Sequence, residues 1–233
     1  MKRALLVLAV LLPLAANAQS YQQIVVTEFG DADVLQLITQ TELPEPAAGE
    51  VRIRVLTASA SFTDVMVRKG MYGEAPAETP LVPGYDLVGV VDKLGEGVTG
   101  LELGQRVADL TVWGAYTEYA VRPAQGLVPV PQGLSDEAAV ALILSYTTAY
   151  QMLHRVAHVE AGQTILIHGA SGAVGTALAQ LAKAAGLRTE LRSQGEICSA
   201  QTQCFVIDSI GELLTYYACA DVAFVGGSMG EQG

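Results

Sequence analysis

A glycine-rich turn between a strand pattern and a helix pattern constrains the fold of this chain more than any other feature. Residues 164–167 are a short β-branched run typical of a buried strand, and residues 176–185 are Ala-rich, as in a helix. In the turn between them, Gly172 and Gly175 take the second and third glycine positions of a G-x-G-x-x-G pattern, and Ala170 takes the first. With the second strand pattern that follows the helix, these elements predict a β-α-β unit and hence a parallel sheet.

A turn of this kind can bind phosphate. A helix N-terminus offers unpaired backbone N–H groups and a partial positive charge, and glycine lets a pyrophosphate approach the backbone. The residues predicted to contact a dinucleotide are Gly169, Ala170, Ser171, Gly172, Ala173, Val174 and Gly175. Arg192, near the end of the second strand, favours NADPH, because a basic residue there accommodates a 2′-phosphate. The alternative is a tight strand–helix packing turn that binds no ligand.

The segment from residue 22 to about residue 131 predicts closely spaced short strands. Residues 51–55 alternate apolar and polar side chains, as a half-buried strand does, and residues 87–91 form a more deeply buried strand pattern. Glycines and prolines separate these runs, and this spacing suggests a partly open barrel. Beyond it, Ser135 is a good N-cap for a long helix over residues 138–156.

Composition excludes several classes of protein. The 13 Lys and Arg residues are outnumbered by 24 Asp and Glu residues, so the formal net charge is −11. This balance argues against a nucleic-acid backbone or an anionic membrane surface as the main partner. With 51% hydrophobic and 16% charged residues, the chain has the composition of a folded protein rather than a disordered one.

The first residues have the pattern of an export signal. Lys2 and Arg3 form a short basic region, residues 4–14 are almost continuously apolar, and Ala16 and Ala18 supply the small residues that a signal peptidase accepts. The apolar run is too short for a bilayer span, which needs about 20 residues. We therefore expect a cleaved, exported protein, periplasmic or secreted. The alternatives are a buried N-terminal helix and a chain that stays in the cytoplasm.

Several groups of residues match one known family in the same order along the chain. They are an opening at 25–35, Pro83-Gly84-Tyr85-Asp86 followed by 89–91, Thr148-Ala149-Tyr150, and the glycine turn at 168–175. Through them, residues 21–186 resemble the zinc-independent quinone oxidoreductase branch of the medium-chain dehydrogenase/reductase superfamily. The resemblance implies an α/β chain, in which a GroES-like β-barrel domain precedes a Rossmann-like domain and the active site lies in the cleft between them. It also implies NADPH-dependent reduction of a quinone or of an activated C=C bond.

The same resemblance implies site residues. Asp64 and Tyr72 would lie near the nicotinamide and the substrate, and Thr148 near the cofactor ribose. Tyr72 would hydrogen-bond a substrate carbonyl or relay a proton, and its alternative is a loop residue half-buried against the cleft. The alternative for Asp64 is a structural helix cap. Ser61 and Tyr85 stand where zinc-dependent relatives place Cys and His, so no metal is expected.

The resemblance ends near Gly186. Residues 187–233 instead resemble a fragment of a Kdo transferase, a glycosyltransferase of the lipopolysaccharide core. The matching segments are 192–196, 211–214 and 220–228. These residues do not reach that family's donor-site motif, so we expect no complete glycosyltransferase. They would complete a truncated parallel sheet of about four strands, or would pack poorly.

The predicted organisation is a signal peptide at 1–18, a GroES-like barrel domain at 19–131 and a Rossmann-like cofactor domain at 132–233 that is atypical over 187–233. The predicted function is zinc-independent hydride transfer from NADPH to a small-molecule quinone or enone. One alternative is a non-catalytic protein with a partial nucleotide-binding domain, and another is a fragment of a Kdo glycosyltransferase. We expect no nucleic-acid partner and no membrane span in the mature chain, and a homodimer is one arrangement that the resemblance implies.

Overall fold

The computed structural model describes residues 19–160, 162–191, 204–207 and 222–225. Within them the strands are β1 (Tyr21–Val26), β2 (Leu35–Gln40), β3 (Glu50–Ala58), β4 (Leu87–Leu94), β5 (Arg106–Asp109), β6 (Tyr119–Pro123), β7 (Val128–Pro129), β8 (Ile165–His168), β9 (Thr189–Leu191), β10 (Cys204–Ile207) and β11 (Val222–Val225). The helices are α1 (Phe62–Arg68), α2 (Asp136–Tyr150) and α3 (Ala173–Ala184), with a 3₁₀ turn at Ala32–Val34 and a π-helical segment at Gln151–Val156 that continues α2.

Five antiparallel strands form the first sheet, in the order β6-β3-β4-β5-β7. Its longest pairing joins β3 to β4 and runs from Val51 opposite Leu94 to Ala58 opposite Leu87. Alternate side chains of these strands point to one buried face, where Ile53 and other apolar residues form a single cluster. The strands predicted at 51–55 and 87–91 are thus confirmed as parts of β3 and β4.

This first sheet is open, which agrees with the prediction of a partly open barrel. Its edge strands β6 and β7 do not pair with each other. Strand β7 is two residues long, and its Pro129 has no backbone N–H with which to extend a ladder. Beside β6, the antiparallel hairpin of β1 and β2 approaches through a bridge between Gln23 and Thr117. The closure that a barrel needs is therefore not reached within the described residues.

The second sheet is parallel, with four strands in the order β11-β8-β10-β9. The predicted sheet of about four strands is therefore confirmed, and β8, α3 and β9 supply the predicted β-α-β unit. However, β10 lies between β8 and β9, pairing with both. The sequences explain this order, because Cys-Phe-Val-Ile in β10 is apolar throughout, whereas Thr-Glu-Leu in β9 suits an edge.

Helix α2 packs on both sheets. Near its beginning, Ala139 and Val140 are buried against Val88 of the first sheet. Near its end, Ala149 joins the cluster of Ile165 and Ile167 from β8. This helix therefore sets the position of the glycine turn relative to the first sheet. Among the described residues, no helix has both the length and the apolarity needed to cross a membrane.

Candidate active site

Asp64 is a buried residue at the beginning of α1, and its carboxylate accepts several hydrogen bonds. Its side-chain oxygens accept hydrogen bonds from the backbone N–H of Ser61 at 2.7 Å and from that of Gly84 at 3.1 Å. Ser61 is the N-cap of α1 and forms a capping box with Asp64, which fixes the first turn of the helix. The Tyr116 hydroxyl donates to the same carboxylate at 3.1 Å, and its burial and the charge of Asp64 raise the pKa of Tyr116. These contacts agree with the helix-cap alternative, and a catalytic role of Asp64 stays a prediction.

Tyr72 pairs with a second tyrosine that the sequence analysis did not assign to the site. The hydroxyl oxygens of Tyr72 and Tyr85 are 2.7 Å apart, and their rings meet edge to face with centroids 5.8 Å apart. Tyr85 is buried, which raises its pKa, and the hydrogen bond with Tyr72 adds to this shift. Tyr72 is half-buried against apolar residues that include Val67 and Leu81. Its half-buried position is confirmed, and its role toward a substrate stays a prediction.

Asp86 ties the first sheet to α2. It is 1% exposed, and its carboxylate accepts hydrogen bonds from the backbone N–H and the hydroxyl of Ser59 and, at 3.3 Å, from the backbone N–H of Leu144. Burial raises the pKa of Asp86, and the hydrogen bonds from Ser59 and Leu144 offset part of this shift. Sequence reasoning missed this role. An acidic residue directly before the apolar run at 87–91 could have indicated a buried carboxylate that needs hydrogen-bond partners.

Thr148 lies one helical turn beyond Leu144 on α2, so the two residues share a face of the helix. Its neighbour Ala149 is fully buried in the cluster around β8. Thr148, which is predicted to lie near the cofactor ribose, is therefore on the same face of α2 as Leu144, whose backbone N–H binds Asp86.

The glycine turn joins β8 to α3, and its last three residues form the first turn of the helix. The sequence predicts the helix from residue 176, but α3 begins at Ala173 because Gly172, in extended conformation, is its N-cap. No side chain caps this end of the helix, and no acidic residue lies in its first turn. Ser171, Gly172 and Ala173 are all exposed. The first N–H groups of α3 have no partner within the helix.

The two glycines of the pattern, Gly172 and Gly175, differ in how closely the turn packs around them. A Cβ atom on Gly175 would lie 2.4 Å from the carbonyl oxygen of Gly169 and 2.5 Å from the Cα of Ala170, so the packing of helix on turn excludes a side chain there. A Cβ on Gly172 would meet only the Gly169 oxygen, at 3.3 Å. Packing therefore restricts Gly172 much less than Gly175, and the exposed Gly172 places no side chain over the N-terminus of α3. The turn thus fits a dinucleotide phosphate.

A further polar atom lies at the start of this turn. The Nδ1 atom of His168 is buried and has no hydrogen-bond partner among the described residues. His168 ends β8, directly before Gly169 with its φ of +69°. A buried nitrogen without a hydrogen-bond partner, at the start of the glycine turn, agrees with a site for a polar ligand.

The predicted site residues thus form two groups, with Thr148 on α2 apart from both. Asp64 and Tyr72 both contact the stretch from Gly84 to Asp86. The glycine turn lies between β8 and α3, and in the described part of the chain no hydrogen bond joins it to Tyr72. Arg192 lies outside the described residues, and in those that are described no group of three or more His, Cys, Asp or Glu could hold a metal ion.

A groove of about 530 Å³ lies apart from both groups, between α2 and the strands β5 and β7. Its lining is mainly apolar and includes Leu110, Val128 and Leu142. None of the predicted site residues lines it, so it adds no residue to the candidate site.

Comparison with known proteins places these features in a family context. Residues 47–132 match the alcohol dehydrogenase GroES-like domain family. Rat quinone oxidoreductase is 35% identical over 176 residues, which are 75% of this chain and 53% of the relative. Mouse synaptic vesicle membrane protein VAT-1 homolog-like is 38% identical over 165 residues, 71% of this chain and 39% of the relative.

These matches agree with the resemblance of the sequence to the medium-chain dehydrogenase/reductase superfamily. The solved structure of the human synaptic vesicle membrane protein VAT-1 homolog-like protein aligns with a TM-score of 0.70 at 31% identity, over 88% of this chain and 62% of that one. A mycobacterial protein solved in complex with NADPH aligns with a TM-score of 0.68 at 30% identity, over 89% of this chain and 59% of that one. The chain spans between 39% and 53% of the length of the two curated relatives named above.

Proposed function

We propose that this superfamily member is an oxidoreductase that transfers a hydride from NADPH to a quinone or an activated C=C bond, without zinc. The observation that carries the proposal is the uncapped N-terminus of α3, where Gly172 has no side chain and where an added Cβ would meet a single atom, the Gly169 oxygen at 3.3 Å. The quinone oxidoreductases among the relatives and the neighbour solved with NADPH support the same chemistry.

The residues present can hold the cofactor through backbone and side-chain groups. The N–H groups of Ala173 and Val174, in the first turn of α3, would bind the pyrophosphate, since the helix end carries a partial positive charge. Thr148 would contact the ribose from α2. We also propose that Arg192 binds the 2′-phosphate. When bound, NADPH supplies the hydride, and the chain itself supplies binding and orientation.

Tyr72 is the group that this chain offers to the substrate oxygen. Hydride addition to a quinone or an enone builds negative charge on the carbonyl oxygen, and a hydrogen-bond donor placed there stabilises that charge. The Tyr72 hydroxyl is such a donor, in a half-buried position where water competes less than at the surface. Asp64 and Ser61 hold α1 and Gly84 in place around it.

Thermal melts of residues 19–233 with and without NADPH test the proposal. At about 100 times its dissociation constant a ligand stabilises the folded state by roughly 2.7 kcal/mol, which raises the melting temperature of a chain of this size by about 5–10 °C. Gly172→Val should fold but lose most of this shift, because its side chain covers the N-terminus of α3. Gly172→Ala is the matched control and should keep more of the shift. An unchanged NADPH shift in Gly172→Val would show that the turn does not bind the cofactor.

A second candidate is a non-catalytic protein that retains a nucleotide-binding turn. The strand order favours it, because β10 separates the two strands of the β-α-β unit. An NADPH-dependent melting shift without oxidation of NADPH by 1,4-naphthoquinone or by an enone would support this candidate over the first.

We further propose that residues 1–18 direct export and that the mature protein forms a homodimer. Fractionation of expressing bacteria, followed by N-terminal sequencing, tests the first proposal. An intact N-terminus in the cytoplasmic fraction would contradict it. Light scattering of the purified protein tests the second, and a monomeric mass would contradict it.

A further inference from the structure

The two tyrosines Tyr72 and Tyr85 form a hydroxyl pair that runs from the core toward the surface. Their oxygens are 2.7 Å apart, within the usual range for an O–H···O hydrogen bond. Tyr85 is 7% exposed, whereas Tyr72 is half-buried. The pair therefore has a buried member and a member with access to solvent or to a ligand.

Burial decides which hydroxyl donates. Among the described residues, Tyr72 is the only hydrogen-bond partner of the Tyr85 hydroxyl. If Tyr72 were the donor, the proton of Tyr85 would be buried without an acceptor, which carries the full desolvation penalty. Tyr72 can direct its own proton to water or to a ligand instead. The geometry allows either hydroxyl to donate, and the burial of Tyr85 favours Tyr85 as the donor and Tyr72 as the acceptor.

We propose that Tyr85 is a positioning residue: its hydroxyl donates a hydrogen bond to the Tyr72 oxygen and so directs the Tyr72 proton at the substrate oxygen. The inference rests on the proposed reductase function. A hydroxyl that accepts one hydrogen bond becomes a stronger donor of the next, because the bonds polarise one another. No proton leaves either tyrosine in this arrangement. Tyr85 acts only through the orientation and polarity of Tyr72.

The backbone around Tyr85 is held on both sides, as a positioning role requires. Its carbonyl oxygen accepts a hydrogen bond from the backbone N–H of Val112 at 3.0 Å. The preceding residue, Gly84, donates its N–H to Asp64 at 3.1 Å and accepts from the Thr111 hydroxyl at 2.9 Å. Val112 itself has a φ of +67°, an unfavourable conformation for a β-branched residue, which the contacts of this segment maintain.

Four variants test the proposal: Tyr85→Phe, Tyr72→Phe, the double variant and Tyr119→Phe. The last is a matched control, since Tyr119 also has a hydroxyl in one hydrogen bond, with Gln19 at 3.1 Å, and a ring edge to face with Tyr21 at 6.0 Å. In the reduction of 1,4-naphthoquinone, Tyr85→Phe should lower kcat by about 2- to 10-fold, the effect of one hydrogen bond, with the dissociation constant of NADPH unchanged. Tyr72→Phe should lower kcat further, and the double variant should equal Tyr72→Phe.

Nuclear magnetic resonance gives a readout that does not need turnover. With tyrosine labelled by carbon-13 at the ring carbon that bears the hydroxyl, the Tyr72 signal should move in Tyr85→Phe and stay in place in Tyr119→Phe. An unmoved Tyr72 signal, or a Tyr85→Phe enzyme as fast as the wild type, would overturn the proposal. So would a double variant slower than Tyr72→Phe by the full Tyr85→Phe factor. A wild-type protein that binds NADPH and reduces no acceptor refutes the proposed function instead, and the carbon-13 result then decides the hydrogen bond.

Discussion

The substitution Gly175→Ala tests whether the turn between β8 and α3 is packed as the structure has it. The added Cβ would lie 2.4 Å from the Gly169 carbonyl oxygen and 2.5 Å from the Cα of Ala170, and both are backbone atoms that cannot rotate away. Overpacking of this kind costs about 1–3 kcal/mol, and the better helix propensity of Ala returns up to about 1 kcal/mol. We therefore expect a net loss of about 2 kcal/mol and a melting temperature lower by about 4–8 °C.

The comparison with Gly172→Ala makes this prediction specific. At that position the Cβ would meet one atom at 3.3 Å, so we expect a change in melting temperature of less than about 4 °C. Thermal melts followed by circular dichroism, without ligand, measure both variants under the same conditions. If Gly172→Ala lost as much stability as Gly175→Ala, the two glycines would not have the separate roles assigned to them. An unchanged melting temperature in Gly175→Ala would refute the packing argument itself.

Two further predictions concern the contacts of α2. Because burial raises the pKa of Asp86 above its ordinary 3.8, the folded state holds this proton more tightly than the unfolded state. The wild type should therefore lose free energy of unfolding, relative to Asp86→Asn, as the pH rises from 3.8 to the raised pKa. Urea titrations of both proteins across that pH range measure this difference. A difference that does not change with pH would contradict the prediction. The Ser135 side chain caps α2 by accepting a hydrogen bond from the Ala138 N–H at 3.2 Å. Ser135→Ala removes this cap and should lower the free energy of unfolding by about 1 kcal/mol in the same assay. An unchanged free energy of unfolding would contradict this prediction.

Local chemistry made most of the secondary structure predictable. Period-two alternation identified β3, and Ser135 correctly marked the beginning of α2. The glycine turn was predicted in place, because a β-branched run, a glycine pattern and an Ala-rich run are features of adjacent residues. The helix beginning was misplaced by three residues, since Gly172 caps α3 from inside the predicted turn. A glycine N-cap has no capping side chain, so the sequence does not mark the beginning of the helix at this position.

The candidate site was predictable only in part. Asp64, Tyr72 and Thr148 were assigned by resemblance, but the hydrogen-bond partners of Asp64 and Tyr72 came from the structure. Tyr85 was considered only as a residue that cannot bind zinc, and its hydrogen bond with Tyr72 spans 13 positions of the chain. The bond from Leu144 to Asp86 spans 58 positions. Contacts of this length depend on how helix α2 packs on the first sheet, which no local pattern contains.

The sequence by itself determined the α/β class and the position of the glycine turn, because periodicity, capping and turn residues act between neighbours. Only the tertiary structure decided that β10 lies between β8 and β9, and that a Cβ at Gly175 would lie much closer to the backbone of the turn than a Cβ at Gly172. Each of these depends on which distant segments come into contact. The free energy that selects those contacts comes from burying apolar faces together, and strands such as β3, β4 and β8 carry such a face without specifying its partner.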